Sequence, residues 1–542
     1  MSAPFFFGAP GRNLFGLLHG REEAHPASKH ALLLCAPLLQ DGIRSHRALW
    51  SLAQTVGEFG IPALTFDWYG TGDSGGQDVE LTLPGMLDDL ERACAELLRR
   101  GEVSSVQFLA LRSAALPLLA ALERRVDPVE IVLWDPQLDG AKLVASWKEQ
   151  HRQQLDGSGR YVNVTHESDE GELLGFGVSD ALLDALSALD AAHIRLPQGS
   201  RVRMAIWEMH AARRRRAPGM ERAVAVRRPG VSASRGGPAC AAHDRTGAMV
   251  NLQLDEKTLE NRQEFAPARA LAGAPSNEAF VETAHGFGDG LVGVLTRPRV
   301  AASKVGVLLL NAGLTRHTGP FRMHVELAQK LAGQGFAVLR FDQSGLGDSA
   351  SPGKAAGERR QRETDSAMRL LAQEAGVERF VLCGLCSGAD DAFHVGAVDA
   401  RVAGAILLDG VAYPTPGFWV RHALPRLLDF GKVLRFLMSR RNPAPSLSDF
   451  RDWPERTKAR GMLAEMVARD VRLLFVFTGG AYHYFNHRAQ LGASLGRAAH
   501  EKQVSLDFWP EYDHTFFLRK HRRVLLKRIA AWMASEFGGK TP

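Results

Sequence analysis

Five residues of this chain, Gly384-Leu385-Cys386-Ser387-Gly388, follow the apolar run Phe380-Val381-Leu382-Cys383 and precede the small-residue stretch Ala389 to Ala397. A strand, a turn with glycine on both sides of a nucleophile, and a helix of small residues describe a nucleophile elbow. In the register Gly-x-Nuc-x-Gly the reactive position is Cys386. The flanking glycines let strand and helix approach closely while the middle residue sits in a strained turn. A thiol there also lies at a helix N-terminus, where the macrodipole favours thiolate over thiol. Ser387 is the rival nucleophile by type. By position it falls one place past the apex and offers its backbone N–H to an oxyanion instead.

The elements that must hold this turn can be read from the chain as a whole. At 542 residues it exceeds the roughly 250 to 300 residues of a single core, so two domains are expected. Hydrophobic residues at 45% and charged residues at 23% are those of an ordinary globular protein. Landmarks recur between the halves. Leu32-Leu33-Leu34-Cys35-Ala36-Pro37-Leu38 matches Leu308-Leu309-Leu310-Asn311-Ala312-Gly313-Leu314 at an offset of 276 (308 minus 32). Phe66-Asp67-Trp68-Tyr69-Gly70-Thr71-Gly72-Asp73-Ser74 matches Phe341-Asp342-Gln343-Ser344-Gly345-Leu346-Gly347-Asp348-Ser349 at 275 (341 minus 66). Cys386 falls opposite Arg112, and Asp409 opposite Asp135, both at 274 (386 minus 112, 409 minus 135). This is an internal duplication. In each half, apolar runs of strand length alternate with helical segments such as Leu83 to Arg100 and Phe321 to Gln334, which predicts a parallel sheet wrapped by helices. Ligands in such sheets bind at the carboxyl ends of the strands, where all these landmarks lie.

Composition narrows the setting. The net charge of +6 comes from arginine, much of it between Arg213 and Arg245, a stretch read as a loop or disordered segment, so nucleic-acid binding is not expected. Five cysteines (35, 94, 240, 383 and 386) without regular spacing argue against a disulfide framework or a zinc site, and no metal or cofactor is expected. The start of the chain lacks the basic region and long apolar stretch of a signal peptide, and no run of 18 apolar residues occurs, so a cytoplasmic protein is expected.

In the second half an N-A-G strand end, the F-D-x-x-G-x-G-D-S loop, the G-x-C-x-G elbow and Asp513-His514 follow in that order. This order resembles the α/β-hydrolase superfamily, and more narrowly the tandem bacterial hydrolases of exopolysaccharide gene clusters and exosortase systems. The resemblance implies two tandem α/β-hydrolase domains, each a mostly parallel sheet flanked by helices: a degenerate one over residues 1–210, the Arg/Ala/Gly-rich segment 211–246, an end and linker at 247–274, and a catalytic one over 275–542 with a helical cap at about 411–470. It places the base at His514, after the apolar stretch Val504 to Trp509, where an imidazole can activate Cys386 and protonate the leaving group. The usual position of the acid, after Leu473 to Phe477, holds Thr478-Gly479-Gly480 and no carboxylate. Asp409, one strand earlier, is the replacement, able to orient His514 through Nδ1. Asp513 and a Cys–His dyad without an acid stay open. The oxyanion hole should combine the N–H groups of Ser387 and Gly313. The F-D-x-x-G-x-G-D-S loop lacks the Gly-Lys-Ser/Thr of a phosphate-binding loop and is expected to be a structural turn beside the site.

Arg112 fills the elbow of the first half, and a guanidinium is no nucleophile, so that domain cannot perform the same reaction. The expected activity is that of an acyl ester or thioester hydrolase on a small-molecule, lipid-linked or glycan-linked substrate, with the basic, amphipathic cap allowing peripheral membrane contact. An acyltransferase with the same acyl-enzyme, and a non-catalytic binding or assembly protein, are the alternatives.

Overall fold

Strands that are buried on both faces read as unbroken apolar runs, and the runs singled out above become the centres of two sheets. The structure, a computed structural model, describes residues 2–20, 28–156, 168–206, 279–299, 303–351, 359–427 and 451–538. The first sheet has seven strands, β1 (Ser2–Ala9), β2 (Arg12–His19), β3 (His30–Cys35), β4 (Ala63–Phe66), β5 (Ser105–Leu111), β6 (Glu130–Trp134) and β9 (Arg201–Ala205), in the order β1-β2-β4-β3-β5-β6-β9. A separate hairpin pairs β7 (Glu172–Leu173) with β8 (Phe176–Gly177). The second sheet has eight strands, β10 (Phe280–Phe287), β11 (Leu291–Pro298), β12 (Val305–Leu309), β13 (Val338–Asp342), β14 (Arg379–Leu385), β15 (Val402–Leu408), β16 (Arg472–Thr478) and β17 (Val504–Trp509), in the order β10-β11-β13-β12-β14-β15-β16-β17.

Both sheets begin with an antiparallel pair of joins and run parallel from there on. Strand for strand the orders are the same, except that the described residues of the first sheet have no counterpart of β17. The chain is thus two α/β-hydrolase-like domains, the fold class read from the sequence. Of the expected cap, the helices Pro416–Leu427 and Arg456–Ala468 are described. Residues 428–450 and the Arg-rich segment 211–246 lie outside the described residues. No helix among the described residues is long and apolar enough to cross a membrane.

One predicted helix starts late, and the reason matters. The segment expected from Phe321 becomes helical only at Met323, because Phe321 (φ 50°) and Arg322 (φ 69°) take left-handed backbone. That turn aims Arg322 at the first domain, where its guanidinium donates to the carbonyls of Gly72 (2.7 Å), Gly76 (2.7 Å), Gly70 (3.2 Å) and Ser74. Arg47, on the helix Leu39–Glu58, does the reverse, donating to the carbonyls of Ser349 (2.7 Å) and Gly347 (2.9 Å). The two F-D-x-x-G-x-G-D-S loops are therefore not only turns within their domains. They face each other, and each is gripped by an arginine of the opposite domain.

Between them lie buried charges. Arg340, fully buried on β13, donates to Asp73 of the first domain (3.0 Å) and to Glu282 on β10 (2.8 Å). Breaking a buried pair by removing one partner strands the other charge, at a cost of about 3–5 kcal/mol. Arg340→Ala is accordingly expected to lower the urea midpoint of unfolding strongly; a midpoint equal to that of the native protein would show these charges to be solvated.

Candidate active site

Cys386 sits where β14 ends and the helix Ser387–Val398 begins, with φ 58° and ψ −120°. A non-glycine residue at such angles carries strain of about 1–3 kcal/mol, here held by packing. A Cβ on Gly384 would lie 2.1 Å from the Gly388 carbonyl carbon, and one on Gly388 would lie 2.5 Å from the Asn311 oxygen. Glycine at both places lets strand, helix and the loop after β12 meet. The elbow read from the sequence is built in this way, and the sulfur is partly exposed, unlike the buried thiols of Cys35, Cys94 and Cys383.

His514 comes from the loop after β17 and reaches both partners. Its Nδ1 bonds Asp409 Oδ2 at 2.6 Å, and the ring lies near enough to the Cys386 side chain for each to shift the other's titration. Asp409, at the end of β15, is fully buried, and its carboxylate also accepts from Thr478 N–H (2.7 Å) and Thr478 Oγ1 (2.6 Å). Thr478 stands at the strand end where an acid was sought. In place of a carboxylate it supplies two donors that fix the one on the neighbouring strand. Asp513 does not face the ring: it accepts from Thr515 N–H (3.1 Å) and Phe517 N–H (2.8 Å), shaping the turn that presents His514.

The electrostatics follow from this chain. Burial alone would push the Cys386 thiol up. The hydrogen bond and charge of His514, the charge of Arg451 and the Ser387 N–H outweigh it, and the thiol titrates below its ordinary value. Burial likewise opposes a charged His514, yet Asp409 and Cys386 push its pKa up to about 10. Each group thus favours the charged form of the other, thiolate beside imidazolium.

Arg451 escaped the sequence reading, because it comes from the segment just before the helix Arg456–Ala468 with no motif around it. Its guanidinium holds Asp390 at 2.5 and 2.7 Å, donates to the Asp409 carbonyl (3.0 Å) and lies over Trp453, 5.0 Å from the ring centre. Asp390, four residues past the nucleophile on the same helix, is the nearest thing to a signal. A buried carboxylate there requires a cation.

Ser387 and Gly313 adjoin as expected, with one difference: the Gly313 N–H already donates to Ser387 Oγ (2.9 Å). The first domain repeats that tie, Leu38 N–H donating to Ser113 Oγ at 2.9 Å. At its elbow, Arg112 (φ 50°) bonds Asp41 (2.8 Å) and Asp135, which stands where Asp409 does. The two carboxylates offset the charge of that guanidinium. His317, Asp342 and Asp348 approach one another closely enough to suggest a metal centre. Both ring nitrogens of His317 already bond carboxylates, however, and Arg316 occupies Asp348, so the cluster is an ion-pair network.

A scan against protein-family descriptions and a search of curated proteins give no match. Among solved structures, an esterase of Pyrococcus furiosus aligns with 52% of this chain and 100% of its own, at 12% identity and a TM-score of 0.33. The acylaminoacyl peptidase of Pyrococcus horikoshii aligns with 48% of this chain and 42% of its own, at 14% identity and a TM-score of 0.31. A cold-adapted esterase from an Arctic intertidal metagenomic library aligns with 48% and 99%, at 12% identity and a TM-score of 0.30.

The thiolate form is populated above the pKa of its thiol, so the lowered value at Cys386 fixes a pH signature. Burial pushes the Cys383 thiol up to about 12, and raises Cys35 and Cys94 also. Iodoacetamide should modify Cys386 first, with a pH midpoint below that of an ordinary thiol of pKa about 8.5. Equal labelling of all cysteines, or a Cys386 midpoint at or above that of an ordinary thiol, would contradict the lowered value.

Proposed function

We propose that the second domain hydrolyses carboxylic esters or thioesters through an acyl-cysteine on Cys386. The observation that supports this reading best is the convergence of His514, bonded to Asp409, with Cys386 at a glycine-flanked elbow. The thiolate attacks the substrate carbonyl, and the carbonyl electrons move onto oxygen. That oxyanion meets the Ser387 N–H at the helix N-terminus, and the Gly313 N–H once the Ser387 hydroxyl turns aside. His514 gives its proton to the departing alkoxide or thiolate as the acyl–sulfur bond remains. The ring, now neutral, takes a proton from water. The resulting hydroxide attacks the thioester, the Cys386 sulfur leaves as thiolate, and the carboxylic acid is released. Asp409 accepts from the Nδ1–H, so that the other nitrogen faces the reaction.

Substrates with the acyl group on a glycan or a lipid-linked carrier belong to this proposal through the resemblance of the elbow and loops to exopolysaccharide-associated hydrolases. Turnover of p-nitrophenyl acetate tests the core of it. Cys386→Ala should abolish turnover, and Asp409→Asn should lower kcat about 10²- to 10⁴-fold with little change in KM, as loss of the group orienting the base does elsewhere. Arg112→Ala should leave turnover unchanged. Native-level activity in Cys386→Ala would sink the reading, and a native protein without turnover would favour a binding or assembly role.

A further inference from the structure

The first domain has no nucleophile, yet its loop residues reach the second domain's site. The loop after β12 begins at Asn311, whose Nδ2 donates to Asp342 (2.8 Å) and to the Thr315 carbonyl (2.9 Å). Thr315 N–H donates back to the Ala312 carbonyl (3.0 Å), which closes 312–315 into a turn. Gly313 is inside that turn, tied to the elbow through Ser387 Oγ. Leu314, at its tip, is 89% exposed and packs on nothing that would hold the loop. The turn's exit is Arg316-His317, and there the anchoring begins.

Arg316 Nη1 reaches both carboxylate oxygens of Asp67 of the first domain (3.0 and 2.8 Å), Nη2 pairs with Asp73 (2.8 Å) and Nε, in its own domain, with Asp348 (2.9 Å). His317 bridges the domains, Nδ1 to Asp342 (2.6 Å) and Nε2 to Asp73 (2.7 Å). Burial disfavours its charge, but the two carboxylates push its pKa up to about 10. Asp67 and Asp73 are themselves fixed, since Asp73 N–H donates to Asp67 Oδ2 (2.9 Å) and Arg322 grips the backbone of the same loop.

We propose that the N-terminal domain acts as the positioning partner of the catalytic domain, its Asp67 and Asp73 holding Arg316 and His317 so that the closed turn presents the Gly313 N–H to the oxyanion. The inference rests on the acyl-cysteine reading above. A turn closed by its own hydrogen bonds moves as a unit, so a shift at its exit displaces Gly313 as well. Asp67 and Asp73 touch no substrate and act through the loop.

Two reactions at the same sulfur separate this role from general damage. Alkylation by iodoacetamide displaces iodide from a saturated carbon and forms no oxyanion, whereas ester acylation does. In Asp67→Asn and Asp73→Asn, kcat/KM for p-nitrophenyl acetate per alkylatable Cys386 should fall about 10- to 100-fold, approaching the loss of an oxyanion donor, while the alkylation rate at Cys386 is unchanged. If neither variant folds, Arg316→Lys, which keeps the charge and loses the fork that reaches three carboxylates, is measured in the same way and should show the same split. Unchanged acylation, or acylation and alkylation falling together, would overturn the inference. A native protein that alkylates selectively at Cys386 yet turns over no ester would overturn the acyl-cysteine reading and this inference with it, before any variant is made.

Discussion

An imidazolium held between one carboxylate from each domain is the contact on which the rest of this molecule depends. His317 is fully buried, and so are Asp73 and Asp342 on either side of it. None of these groups could stay charged there alone, because removing an isolated ion from water costs far more than folding yields. Together with Arg316, Arg340, Asp348 and Glu282 they form a network whose members are stable only as a set. Such a set is exacting in geometry, and it fixes the angle at which the domains meet more tightly than apolar packing would. The strand ends of both sheets, and the loop that carries Gly313, are registered against this point.

Much of the site could be read from residue types alone. Gly384 and Gly388 announce the elbow because only glycine fits two backbones within contact of each other. Asp409 was legible as a lone carboxylate closing an apolar strand, and the structure brings it, His514 and Cys386 together. Other features were hidden for physical reasons. Arg451 lies 65 residues beyond the nucleophile (451 minus 386), and its position follows from tertiary packing on Asp390 and Trp453. The junction was hidden differently. Each F-D-x-x-G-x-G-D-S loop, taken alone, is a self-sufficient turn in which the first aspartate accepts from the N–H of the last, at 2.9 Å in both halves. A motif satisfied locally gives no hint that its outer face is also used.

The comparison of the two elbows separates strain from chemistry. Arg112 and Cys386 have φ of 50° and 58°, Asp135 and Asp409 of 45° and 48°. The backbone is bent in the same places whether or not a nucleophile is present. The strained turn is a property of how strand, helix and loop join in this fold, and the side chain decides whether that strain has a use. In the first domain the guanidinium is locked between Asp41 and Asp135. In the second, an imidazole tied to Asp409 stands beside a sulfur.

Arg47 and Arg322 are 275 residues apart (322 minus 47), the same spacing as the loops they grip, so the halves meet as two copies of one protein would across a twofold axis. Such isologous contacts are self-complementary and close after two copies, leaving no matching face for a third. Where separate subunits would come apart on dilution, because their association follows mass action, one polypeptide carries both copies and its clasp is independent of concentration. The arrangement therefore behaves as a dimer whose dissociation has been abolished by a peptide link.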